Sequence, residues 1–130
     1  PECRVIRPNE LETEICSGAM TRLAGVSETL VGSTGIHLAI ATIPPGCAST
    51  PHYHVNCESA IYVVKGKGRF IIGEQLDNEI PMGPGDFVYV PRDAVHRPVN
   101  DGDEPMELIV ARNTTVEIVE EYHPGKATTN

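Results

Sequence analysis

The sequence predicts an all-β protein, a sandwich or barrel of about ten short strands. Three observations carry this. Apolar residues recur at every second position in several short runs, the period of a strand with one buried face. Twelve glycines and 11 prolines punctuate those runs with turn chemistry. No stretch shows the periodicity of a helix longer than two turns, so the crossover helix that parallel strands need is missing. The 130 residues make one domain.

Residues 1–35 are expected to form an N-terminal arm and edge strands. A single helical turn fits within 9–19, where Leu11 and Ile15 stand four apart and Gly18 ends the run. MTRLAGV (20–26) reads as a weak strand and GSTG (32–35) as a turn. Residues 36–112 are the expected barrel core. IHLAIATI (36–43) alternates Leu38 and Ile40 against His37, Ala39 and Ala41, and PPG closes it. SAIYVVK (59–65) and RFIIG (69–73) flank a hairpin bracketed by Gly66 and Gly68. A short acidic strand follows Asn78; FVYV (87–90), AVHRPV (94–99) and MELIVAR (106–112) complete the set. TVEIV (115–119) begins a C-terminal portion, 113–130, read as a strand followed by a flexible tail from Tyr122.

Charge excludes some partners. Eighteen acidic against 10 basic residues give a net charge of -8. The basic residues are scattered, and such a surface repels phosphate backbones and anionic lipid. Neither nucleic acid nor a membrane is expected as a partner. No run approaches the ~18 apolar residues of a membrane span, and PECRVIRPNE at the start has no signal-peptide core. Cys3, Cys16, Cys47 and Cys57 show no CxxC spacing. They read as thiols in a reducing compartment, so the expected location is the cytoplasm.

Five histidines exist. His52 and His54 form HxH, and on a strand side chains two apart share a face. Both imidazoles can then point at one ion. Glu58 lies four residues on and can reach the same point, while His96 comes from a separate strand. Three imidazoles and a carboxylate make a mixed N/O site, suited to one divalent transition metal: Fe, Mn, Zn, Ni, Co or Cu. If Glu58 faces in, the period of two sets Tyr62 beside it, as a proton donor near the metal. His37 lies opposite the Leu38/Ile40 face, where it either orients another group or meets solvent. His123 falls in the tail.

Here the chain resembles the cupins. In GCASTPHYHVNCE (46–58), Gly46, His52, His54 and Glu58 match the family's first motif. In GDFVYVPRDAVHRPVN (85–100), Gly85, Pro91, His96 and Asn100 match the second. The resemblance covers residues 36–112 and implies a double-stranded β-helix, or jelly-roll barrel, of the small single-domain kind. It implies a metal held by His52, His54, Glu58 and His96, to which the strand period adds Tyr62 as the candidate catalytic side chain. Two positions depart from the pattern. Asp93 stands where the family has a glycine, in a turn that aspartate tolerates. Counting back from Gly66 puts Ser59, not Glu58, in the glutamate slot. Either a β-bulge absorbs the extra residue, or Glu58 swings away and leaves three histidines plus water or substrate.

The resemblance further implies a small-molecule substrate in the barrel, a carboxylate or other oxygen-rich chelator, and a homodimer. The sharpest functional expectation is an Fe(II)-type dioxygenase. A redox-neutral lyase, isomerase or hydrolase is the alternative, and a non-catalytic metabolite-binding or sensor domain is a third.

Overall fold

The computed structural model describes residues 1–124. The all-β expectation holds. The strands are β1 (Glu12–Glu14), β2 (Thr21–Val26), β3 (His37–Ile43), β4 (His52–His54), β5 (Ser59–Lys65), β6 (Gly68–Ile72), β7 (Asn78–Met82), β8 (Phe87–Val90), β9 (His96–Val99), β10 (Met106–Arg112) and β11 (Val119–Glu121). Two sheets face each other: β1-β2-β3-β10-β5-β8 and β11-β4-β9-β6-β7. Every pairing between these strands is antiparallel. This is the double-stranded β-helix that the motifs imply.

The N-terminal expectation needs correction. Residues 9–19 hold a 3-10 turn, Pro8–Glu10, and then β1, which pairs Glu12 with Ala24. Pairing with β2 satisfies more backbone groups than one isolated helical turn can. A four-residue helix, α1 (Glu28–Val31), stands where the sequence shows no helical period. Its ends explain it: the Ser27 side chain accepts from the Leu30 N–H, and Gly32 closes it with φ of 71°.

The core lies between the sheets, built on Ile43, Val63, Met106 and Leu108. Alternation decides which residues reach it. On β3, His37, Ala39, Ala41 and Ile43 face in, and the larger Leu38 and Ile40 face out. On β5, Ser59, Ile61 and Val63 face in, and Ala60 and Tyr62 face out. The β5–β10 register runs unbroken from Ser59↔Arg112 to Val63↔Leu108, then slips to Lys65↔Glu107. The bulge is therefore at Val64, at the far end of the strand from Glu58. The hairpin beyond it packs tightly, since a Cβ on Gly68 would lie 2.0 Å from the Val99 carbonyl oxygen.

The second-motif turn survives without glycine, with Asp93 at φ of 67° and its N–H donating to the His54 carbonyl at 2.8 Å. Asn100 is fully buried and fastens the other end of β9. Its amide donates to the Ile43 and Glu104 carbonyls at 2.9 and 2.8 Å, and its oxygen accepts from the Gly102 N–H.

The C-terminal strand forms later than TVEIV suggests, at Val119–Glu121 beside β4. Tyr122 is anchored, its N–H on the Pro51 carbonyl and its hydroxyl on the Glu74 carbonyl, so it is not part of a loose tail. The rest of that expectation, over 125–130, lies outside the described residues. All four cysteines are free thiols. No helix among the described residues is long and apolar enough to cross a membrane.

Candidate metal centre

His52 and His54 sit at the two ends of β4, and both are buried. β9 runs beside it with His52 opposite His96. Two distant stretches of chain thus bring three imidazoles together. Their ring centroids lie 4.3 to 5.2 Å apart. One nitrogen from each falls within 4.8 Å of the others.

Two of the rings are oriented by backbone. His52 Nδ1 lies 2.6 Å from the Thr50 carbonyl and His96 Nδ1 2.9 Å from the Ala94 carbonyl. A carbonyl only accepts, so each Nδ1 carries the proton and each Nε2 presents a lone pair. Burial, with the neighbouring His52, pushes the His96 imidazole down to about 3, against the Ala94 bond that favours its charge. Burial also lowers His52. Neutral imidazoles with convergent lone pairs repel one another until a cation satisfies them. This donor set fits a divalent transition metal.

Glu58 does not join the group. It is exposed, and its carboxylate accepts a 2.8 Å hydrogen bond from the Tyr89 hydroxyl. No bulge intervenes near it, so Glu58 shares the outward face of Ala60 and Tyr62, while Ser59 turns inward. The count from Gly66 is the correct one, and Ser59 occupies the carboxylate slot. Tyr62 does share a face with Glu58, but that face is the outer wall. The residue is 36% exposed, and its ring stands 4.8 Å from that of Phe87. It reaches no histidine of the cluster.

The carboxylate that does approach is Glu117, which the sequence reading passed over. It sits in the connection before β11. Its Oε2 lies 3.1 Å from His54 Nδ1, and its Oε1 2.9 Å from Arg22 Nη2 and 3.3 Å from Arg112 Nη1. Burial alone would raise this carboxyl, but His54 and the two guanidiniums outweigh it and hold Glu117 well below the usual carboxylate range. The His54 contact is close but off-line, and Nδ1 has no well-aligned hydrogen-bond partner. His37 is no solvent residue either: it is buried, with Nε2 2.8 Å from Glu14. Glu14 in turn binds Arg22 Nε at 2.9 Å, which joins it to the Glu117 group.

The histidines open onto a cavity of about 310 Å³ between the sheets. Ile61, Phe70, Val90 and Leu108 give it apolar walls, and Arg22 and Glu117 add charge.

The chain belongs to the cupin domain family, whose pattern matches residues 39–112. Over 107 residues it is 30% identical to polyketide synthase CurC of Streptomyces cyaneus, spanning 82% of this chain and 66% of that protein. Over 58 residues it is 45% identical to glucose-6-phosphate isomerase of Thermococcus onnurineus, covering 42% of this chain. That stretch is only 31% of the isomerase's length. Among solved structures, polyketide cyclase RemF from Streptomyces resistomycificus superposes with a TM-score of 0.78 at 18% identity, covering 96% of this chain and 89% of that one. At that identity the likeness is one of fold.

Proposed function

We propose that this chain is a metal-dependent enzyme acting on a small oxygen-bearing molecule inside the barrel. The observation that carries the reading is the convergence of His52, His54 and His96 in one buried cavity. Those three side chains would hold the ion through nitrogen. A bound divalent metal supplies Lewis acidity toward a carbonyl or enolate oxygen. The apolar walls, Phe70 among them, exclude water and orient the carbon skeleton. Arg22 supplies the charged edge of the pocket, where a carboxylate, hydroxyl or phosphate of the substrate meets a fixed partner.

Two chemistries suit such a site. A redox-neutral isomerisation or cyclisation is supported by the isomerase and polyketide proteins that the chain resembles. An Fe(II)-type dioxygenase is supported by a three-histidine face that leaves neighbouring positions open for a chelating substrate and O₂. Elemental analysis of protein purified without a nickel resin is the test. Stoichiometric metal in the wild type and its loss in His96→Ala are expected. A wild-type protein that neither retains nor takes up a transition metal overturns the reading. Substrate-dependent O₂ uptake then selects the dioxygenase, and turnover without it selects the redox-neutral enzyme.

We further propose a homodimer. Support comes from the outer face of the six-stranded sheet, where Leu23, Ile40, Ile109, Tyr62 and Phe87 lie in one cross-strand row. Four of these five are exposed, Phe87 by 80%, and an apolar row of that length is a surface that a second copy can cover.

A further inference from the structure

Ser59 leaves the first motif without its acid, and the chain brings another from elsewhere. Glu117 arrives in a connection with little regular structure, yet that connection is firmly held. The Asn56 amide donates to the Val116 carbonyl at 2.8 Å, and its oxygen accepts from the Ile118 N–H at 2.9 Å. One side chain from the first-motif loop thus grips the backbone on both sides of Glu117. The Val55 N–H adds a bond to the Ile118 carbonyl at 3.0 Å. On the other flank Arg112 donates to the Thr114 and Thr115 carbonyls, both at 3.1 Å. The side chain is held as well, because both guanidiniums take Oε1 and leave Oε2 for His54.

His52 and His96 use backbone carbonyls to keep the proton on Nδ1. His54 has no such carbonyl; the group beside its Nδ1 is Glu117. The two ring nitrogens of an imidazole point in divergent directions, so a carboxylate at Nδ1 stands behind the ring with respect to Nε2. The Glu117 oxygens also fall outside the cluster in which the three histidine nitrogens converge.

We propose that Glu117, placed by Asn56, is the positioning residue for His54: it keeps the proton on Nδ1 and turns Nε2 toward the ion. This rests on the metal reading of the three histidines. Carboxylate–histidine–metal relays of this kind orient the ring and raise its basicity, and losing the carboxylate typically weakens metal affinity by about 10- to 100-fold. Arg22 and Arg112 fix the carboxylate so that it acts on the ring without joining the ion.

Zinc affinity, measured by competition with a chromophoric chelator, is the test. Glu117→Gln is expected to weaken zinc by about tenfold or more, with Glu117→Asp recovering part of the loss. Asn56→Ala is expected to weaken zinc in the same direction, although Asn56 touches no histidine of the cluster. Removing Glu117 leaves the buried Arg112 without an acid and Arg22 with Glu14 alone, and the variant can fail to fold. A second measurement on the wild type therefore stands beside it. Long-range ¹H–¹⁵N NMR of the metal-free protein should show His54 protonated at Nδ1. His54 protonated at Nε2, or folded Glu117→Gln with zinc affinity within about twofold of wild type, overturns the proposal while the metal site stands. Wild-type protein that binds no zinc or other transition metal overturns the metal reading itself, and the proposal with it.

Discussion

Tyr89 donates a 2.8 Å hydrogen bond to Glu58, and both residues stand on the outside of the barrel wall. The bond raises the Tyr89 phenol, and it ties Glu58 to β8 rather than to the histidines. Glu58→Gln should therefore leave metal content and zinc affinity at wild-type values. Elemental analysis and chelator competition check this. Loss of metal in this variant would return Glu58 to the ligand set.

Acid should destabilise the metal-free protein through the same histidines. His96 is pushed down to about 3 in the fold from an ordinary value of 6.5, so between these limits the unfolded chain binds the extra proton. Stability then rises with pH across that window and is lost as the pH falls through it. His52 and Glu117 are also lowered and act with the same sign, Glu117 further toward acid. Urea unfolding of the metal-free protein between pH 7 and 4 measures the slope. His96→Asn should flatten it, and a pH-independent midpoint would contradict the buried neutral imidazole.

Asn100 predicts a stability effect that leaves the three histidines in place. Its side chain satisfies two buried or half-buried carbonyls and one N–H at the end of β9. Asn100→Ala strands all three, at a cost of about 3 kcal/mol. Urea or thermal unfolding of the variant should show that loss.

The apolar outer row predicts an assembly state. Phe87 and Tyr62 pack their rings together at its exposed end. A Phe87→Lys/Ile40→Lys double variant should sediment as a monomer under conditions where the wild type sediments as a dimer. Tyr62→Phe should keep both the dimer and the metal, since its hydroxyl faces away from the cavity. A monomeric wild type would remove the dimer proposal.

The histidine triad was legible because HxH on a strand is a local pattern, and His96 lies in a second motif of fixed spacing. The Asp93 turn was legible too, since a positive φ needs only a residue type that tolerates it. The strand period identified the two faces of β3 correctly but not which one is inside. Small Ala39 and Ala41 fill the narrow interior, and larger Leu38 and Ile40 are left outside, so hydrophobic bulk misleads there. Glu117 carried no local signal at all. Its role comes from the pairing of β11 with β4 and from the Asn56 clamp, which joins positions about sixty residues apart. Glu58 fits the first motif counted forward from HxH, whereas the motif's spacing counted back from Gly66 selects Ser59, the residue that faces in.

That one-residue difference has a wider consequence. The barrel wall is a single layer of chain, so stepping one position along β5 trades the cavity's side for the water's side. An acid can then persist next to the motif while contributing nothing to its chemistry. Chains related to this one are better compared by whether an inward serine coincides with a glutamate near the C-terminal strand and an asparagine two residues after HxH. Where those three travel together, the centre has been rebuilt around a borrowed acid; where the asparagine alone is missing, the borrowed acid has lost its tether.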